Sequence, residues 1–300
     1  MISRARAGRF SLSWQAGLWL LLLPYLVGTL VLVGLPALLS AVLAFTSFDA
    51  LTPPVFVGFA NFRLLAADPI VGTAIGNSLV FILLAVPLRI LGALGLALLL
   101  VRPRRGVGAY RAAAYLPTVI PDVAFALIWL WIFNPLFGPL NLALGALGLP
   151  QPGWLADAET ARYPFVVMAA FQIGEGFVVL LAALRGLPAE YYDAGAVDGA
   201  GRWASFRYLT LPLLLPWLAL LTFRDVILSF QWTFTPSFVM TGGDPYYATM
   251  FLPLLIYEEA FDRFRFGAGS ALMLITFLLS VAIIGGIYLL FRRRGYVADV

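Results

Sequence analysis

The sequence predicts an all-α, polytopic membrane protein with six transmembrane helices and both termini cytoplasmic. Three observations carry this prediction: the apolar content, the spacing of the apolar runs and the placement of arginine. Of 300 residues, 62% are hydrophobic and only 11% are charged, whereas a soluble domain holds about 25% charged residues. Mean hydropathy is +0.95. So much apolar surface needs a solvent other than water, which excludes a soluble enzyme.

A bilayer crossing takes roughly 20 mostly apolar residues, and six runs reach that length. The first, about 17–45, carries no charge. It is longer than the apolar core of about 7–15 residues in a cleaved signal peptide, so it is read as a span. The second lies at about 72–101, and the third at 112–133, bent by Pro117 and Pro121. The fourth, fifth and sixth lie at about 164–184, 211–234 and 267–291. The connections carry loop punctuation at Pro53-Pro54, Asn134-Pro135, Pro152-Gly153 and Gly242-Gly243-Asp244-Pro245. Residues 246–257 are apolar but too short to span, and are expected as a helix lying along the outer face. No internal repeat is evident, and neither is a soluble domain, so residues 1–300 read as one transmembrane domain.

An even number of spans puts both termini on one side, and arginine says which. All 19 basic residues are Arg. Thirteen fall on one side: Arg4, Arg6 and Arg9; Arg102, Arg104, Arg105 and Arg111; Arg185, Arg202 and Arg207; Arg292, Arg293 and Arg294. The opposite connections hold four, Arg63, Arg162, Arg263 and Arg265. Positive charge stays inside, so the thirteen-Arg side is cytoplasmic. The pI near 9.5 thus reports topology, and no nucleic-acid partner is expected.

Missing residue types narrow the function. Without Lys there is no P-loop lysine, so this chain carries no Walker-type ATP site. Without Cys or His there is no thiolate nucleophile, imidazole base or ordinary zinc site. No catalytic residue, metal site or bound cofactor is expected on this chain.

One inner connection stands apart. Residues 185–212 read RGLPAEYYDAGAVDGAGRWASFRYLTLP, with Arg185, Arg202 and Arg207 balanced by Glu190, Asp193 and Asp198. Pro188 is placed to start a helix, and Gly199 and Gly201 to end it. Trp203, Phe206 and Arg207 sit on a second short turn. From composition alone, this is either a solvated amphipathic loop or a compact knob that meets a partner.

The segment resembles the EAA loop of ABC-importer permeases: E-A-A, three residues, Gly, nine residues, then I-x-L-P. Here it reads Asp193-Ala194-Gly195, Gly199, then Leu209-Thr210-Leu211-Pro212. The spacing matches throughout; Asp replaces Glu, Gly the second Ala, and Leu the Ile. The chain from about 20 to 290 is similar to binding-protein-dependent sugar permeases of the maltose and glycerol-phosphate type. Val57-Gly58-Phe59-Ala60-Asn61-Phe62, Asn77-Ser78, Arg111 with Tyr115-Leu116-Pro117, residues 129–134, and Thr241-Gly242-Gly243-Asp244-Pro245 with Tyr257 and Phe261 extend the match.

The resemblance implies a type I ABC-importer permease fold, with 185–210 as the cytoplasmic coupling loop. Glu190, Asp193, Ala194, Gly195, Asp198 and Gly199 would lie at the docking surface, and Pro212 would start the fifth span. It further implies a second permease subunit in a heterodimer, two ATP-binding subunits holding ATP and Mg, and an extracytoplasmic solute-binding protein. The setting would be the lipid of a prokaryotic cytoplasmic (inner) membrane. This chain would form half of a carbohydrate path and hydrolyse nothing itself.

Five charges fall inside spans: Arg89, Asp122, Glu175, Arg224 and Asp225. Each costs about 2.5–3.5 kcal/mol at mid-bilayer, so they face a cavity or pair with one another. Gln172, Glu175, Asp225, Gln231 and Trp232 are the candidate substrate path, because carboxylates and amides bond sugar hydroxyls and aromatic rings stack on C–H faces. Arg89, Asp122 and Arg224 are the candidate charge partners. Glu175 either lines the path or forms a structural pair with Arg89 or Arg224. Two rivals use the same residues. An ion-driven secondary transporter for a small polar solute would relay through Glu175, Arg224 and Asp225, and would leave 185–212 without a role. A membrane enzyme would use Asp122 and Glu175 as acid and base.

Overall fold

Apolar runs become rods that break at Pro121 and at Gln172–Ile173, where no proline stands, and that continue unbroken through Pro24, Pro87 and Pro216. The computed structural model describes residues 14–293; Arg4, Arg6, Arg9 and Arg294 lie outside the described residues. The first rod, α1 (Gln15–Leu43), has a π-helical turn at Leu30–Gly34. A short antiparallel pair follows, β1 (Thr46–Ser47) with β2 (Val55–Phe56), registering Thr46 on Phe56. Asn61, on α2 (Ala60–Ala67), donates from Nδ2 to the carbonyls of Ala44 and Thr46, each at 2.9 Å, and ties this loop to the end of α1. Asp68 then caps α3 (Pro69–Leu100), its carboxylate accepting from the Ile70 amide at 2.8 Å.

The predicted third span is not a rod. α4 (Val107–Tyr115) tightens into a 3-10 turn at Leu116–Val119, and α5 (Asp122–Ile132) leaves at 100° to it. Ile120 is extended, with φ −71° and ψ 128°, because the ring of Pro121 drives the preceding residue out of helical space. After the short α6 (Pro139–Ala146), the fourth span is broken more gently, α7 (Tyr163–Phe171) meeting α8 (Gly174–Arg185) at 44°. α9 (Ala189–Val197) follows.

Pro212 stands second in the α-helical stretch Leu211–Trp232, at the expected start of the fifth span, and the continuous rod extends further back. α10 (Arg202–Met240) begins ten residues earlier and passes through Pro212, with a π-helical turn at Phe206–Thr210 just ahead of it. Pro36 likewise follows the π-helical turn of α1. Proline lacks an N–H and crowds the carbonyl four residues back, and a wider turn at that point relieves both.

The apolar segment 246–257 also differs from expectation. It does not lie along an outer face. Met250 and Phe251 are buried, as are Leu252, Leu254 and Leu255 of α11 (Leu252–Tyr257). Asn77 Nδ2 donates to the carbonyls of Tyr247 and Met250 at 2.9 and 3.0 Å, and Ser78 Oγ accepts from the Leu252 amide at 3.0 Å. The segment folds inward because α3 supplies partners for backbone groups that have no water there. A π-helical turn at Glu258–Asp262 leads to α12 (Phe266–Arg293). In that turn the buried Glu259 accepts from Arg263 and Arg265, while burial pushes the Glu258 carboxyl up despite the neighbouring Arg263.

Among the described residues, α1, α3, α10 and α12 are long and apolar enough to cross a membrane, and counting each bent pair as one span makes six. α3 is the central rod, packed on α7, α8 and α10. Phe81, Phe165, Phe230 and Phe251 fill the core at one end, and Phe177, Leu180, Leu214 and Leu218 at the other. α1 turns its leucines outward, Leu21 being 79% exposed and Leu32 76%. That surface suits a bilayer.

Candidate functional site

Both broken rods put their joints against α10, and a cavity of 270 Å³ opens between them. Gly174 makes this approach possible. A Cβ there would stand 2.9 Å from Cα of Tyr115 and 2.9 Å from Thr118 Cγ2, so only glycine lets α8 start against the end of α4. The joint of α7 and α8 contributes Gln172 and Glu175, and the joint of α4 and α5 contributes Thr118 and Asp122. Arg89 reaches in from α3, and Leu228, Gln231 and Trp232 from α10.

Four of the five intramembrane charges form one chain. Arg89 Nε lies 3.5 Å from Asp225 Oδ2, and Asp225 Oδ1 lies 3.5 Å from Arg224 Nη1. Arg224 Nη2 in turn donates to Glu175 Oε2. The chain grades from buried to open: the side chains of Arg89 and Asp225 are 11% and 7% exposed, those of Arg224 and Glu175 37% and 52%. Glu175 is also the second residue of α8, where the helix dipole favours negative charge. Asp122 is exposed and in no ion pair among the described residues. Opposite charges cancel along the chain, so the cavity keeps one uncompensated carboxylate.

Trp232 anchors the other end. Its Nε1 donates to Gln172 Oε1 at 2.6 Å, and its ring stacks on Phe81 with centroids 5.7 Å apart and planes 8° from parallel. The structure thus gathers Gln172, Glu175, Gln231, Trp232, Arg89 and Asp122 around one space. Arg224 stands at its edge, bonded to Glu175. Asp225 is not on the cavity but in the wall behind it. Sequence reasoning missed Thr118 and Leu228 as lining residues and Phe81 as the ring behind Trp232. Thr118 had one available signal, its place between Pro117 and Pro121.

A second surface lies on the arginine-rich side. α9 ends in a Schellman motif: Ala200 N–H donates to the Gly195 carbonyl at 2.8 Å, and Gly199 N–H to the Ala196 carbonyl at 3.1 Å. Gly199 takes φ +79° there, a left-handed turn that side chains resist. A Cβ on Gly195 would meet Leu209 Cδ1 at 3.0 Å, so its smallness lets α9 lie on the start of α10. The Tyr192 hydroxyl and Thr210 Oγ1 add a hydrogen bond of 3.0 Å across the same contact. Held this way, α9 presents Glu190, Asp193, Ala194, Asp198 and Gly199 to the outside, while Gly195 and Pro212 are half-buried. No acid of this face is in an ion pair among the described residues.

The family described as "Binding-protein-dependent transport system inner membrane component" matches residues 89–295. A probable ABC transporter permease protein of Pyrococcus horikoshii is 32% identical over 273 residues, covering 87% of this chain and 91% of that one. The trehalose/maltose transport system permease protein of Thermococcus litoralis is 30% identical over 265 residues, covering 87% and 88%. Among solved structures, a bacterial alginate ABC transporter in complex with alginate pentasaccharide-bound periplasmic protein has a similar chain. It superposes with a TM-score of 0.77 at 23% identity, over 92% of this chain and 94% of that one, a likeness of fold.

Proposed function

The chain belongs to the family of binding-protein-dependent transport system inner membrane components, and on that premise we propose that it forms half of the path by which an ABC importer takes up a carbohydrate. It is a multi-pass membrane protein and a non-enzymatic component of a transporter. A separate ATPase, two copies of which hold ATP and Mg, docks on α9 from the cytoplasm of a prokaryotic cell. A second permease subunit completes the path in the inner membrane, and an extracytoplasmic solute-binding protein delivers the solute.

The observation that carries this reading is α9. It is a short helix whose acids are exposed and in no ion pair among the described residues, with Asp193 at the acidic position of the EAA spacing, and it is joined to α10 by the Tyr192–Thr210 hydrogen bond. Such a face is built to meet a basic groove on another protein, and electrostatic complementarity of this kind sets which partner fits. The cavity supports the substrate class. Gln172, Gln231 and Thr118 offer uncharged polar groups and Trp232 an aromatic ring, a combination that suits hydroxyls and C–H faces. The unpaired carboxylate of Asp122 favours a neutral saccharide over an acidic one. Relatives carry both kinds of name, one for trehalose and maltose and others for the anionic solutes sulfoquinovosyl glycerol and sn-glycerol-3-phosphate, so the preference for a neutral solute rests on the cavity alone.

Gentle purification of the tagged chain from its native membrane, with mass spectrometry of what accompanies it, tests the proposal. We expect an ATP-binding subunit and a second permease to be recovered together. A stable chain that comes alone under conditions that preserve other membrane complexes would replace this reading with the ion-driven transporter.

A further inference from the structure

The joint between α7 and α8 is tied to α10 on both of its sides. On one side Gln172, with φ −95° and ψ 46°, ends α7 and accepts from Trp232. On the other, Glu175 opens α8 and accepts from Arg224. Both donors belong to α10 and both acceptors line the cavity. From its far end α8 passes through residues 186–188 into α9. The 44° joint, with the two residues it lends to the cavity, and the exposed docking face therefore lie on one continuous piece of chain.

We propose that the Trp232–Gln172 and Arg224–Glu175 hydrogen bonds form a latch across this joint, through which occupancy of the cavity reaches α9. The inference rests on the importer reading for what α9 does, but the latch itself is a property of this chain. Hydroxyl groups of a solute compete for the Gln172 carbonyl oxygen and the Glu175 carboxylate, both of which the cavity makes reachable. A solute that takes both acceptors releases α8 from α10, and α8 turns about the joint. Asp122, across the cavity, is free to hold a further hydroxyl while this happens. Trp232 and Arg224 are positioning residues in this scheme, since they act through Gln172 and Glu175. The buried Arg89–Asp225 pair keeps Arg224 in reach, because Asp225 faces Arg89 from α3 and Arg224 from its own helix.

The chain contains no cysteine, so Val167→Cys and Val178→Cys supply the thiols it offers to a spin label, and labelling this chain before assembly confines the label pair to the joint. Labels replace Val167 on α7 and Val178 on α8, both exposed and neither lining the cavity. Pulsed electron resonance then gives their separation in the intact complex, reconstituted in lipid nanodiscs without nucleotide. Trp232→Phe removes one N–H donor and keeps a ring on Phe81, while Glu175→Gln removes the charge from the other acceptor.

Each variant is expected to raise the population with a second separation by about tenfold over the unsubstituted complex, the effect of losing one good hydrogen bond on a minor state. The double variant should exceed either single one. Glu175→Asp keeps the carboxylate and should return most of the resting separation. Basal ATP hydrolysis by the complex should rise in step with the second population. Separations that superimpose on the unsubstituted ones in an assembled complex overturn the latch. A changed separation with unchanged hydrolysis overturns its connection to α9. If no ATPase accompanies even the unsubstituted chain, the importer reading fails, and the separations still decide whether the latch exists.

Discussion

Asn77 shows how much one side chain can hold. Its amide supplies the donors for two carbonyls of the inward-folded segment 247–252, and Ser78 beside it supplies the acceptor for Leu252. Asn77→Ala leaves buried acceptors without partners, at about 1–3 kcal/mol each. The purified protein in detergent should therefore melt several degrees lower, whereas Ser78→Ala, which orphans a single amide, should cost less. Equal melting of Asn77→Ala and the unsubstituted protein would mean that α11 is held by its leucines alone. The Asn77-Ser78 pair is visible in the sequence as part of a family resemblance, but its purpose is not. Its partners lie 170 and more residues away, and no local pattern records a contact of that separation. Glu175 has the same limitation. Insertion cost alone says that it must pair or face a cavity, and it does both. Which arginine answers it depends on how three helices rotate, which a single sequence does not state.

At the scale of elements, the rods were legible and the joints only partly so. Apolar length and arginine placement locate the runs, because those follow from the solvent around the chain. Proline does not by itself say what a rod does: Pro121 breaks its helix, Pro36 and Pro212 follow π-helical turns, and Pro24, Pro87 and Pro216 stay inside α-helix. The outcome depends on whether the preceding turn has room to widen, and that is set by packing. α9 is the element where spacing carried furthest, because a Schellman motif is local: it needs glycine at one position and nothing distant. Gly199→Ala forces a side chain into φ +79°, at a cost of about 1–2 kcal/mol. Hydrogen exchange of the Gly199 and Ala200 amides should accelerate by about fivefold or more, while amides in the centre of α3 are unchanged. Asn at this position tolerates the left-handed region better and should lie between the two.

For the molecule as a whole, charge is partitioned between two tasks. Inside the bilayer, opposite charges cancel around the cavity and leave Asp122. At the arginine-rich surface, the acids of α9 are in no ion pair among the described residues, although Arg185, Arg202 and Arg207 flank them in sequence. A fold that needed these acids for its own stability would have used the neighbouring arginines. Their being left free points to a partner, and it makes the point testable without disturbing the fold. Asp193 is exposed and bonded to no described side chain, so Asp193→Arg should move stability by no more than about 0.5 kcal/mol. Against a basic groove the same change replaces attraction with like-charge repulsion, which costs several kcal/mol. Every 1.4 kcal/mol is about tenfold in affinity, so recovery of the ATPase with the purified chain should fall by at least about that factor. Melting and recovery of the second permease should stay as they were, because neither uses α9. Recovery of the ATPase at the unsubstituted level would remove Asp193 from the docking surface, and a loss of all partners with lowered melting would show that α9 stabilises the fold after all. Only the selective loss agrees with a helix whose acids face another protein.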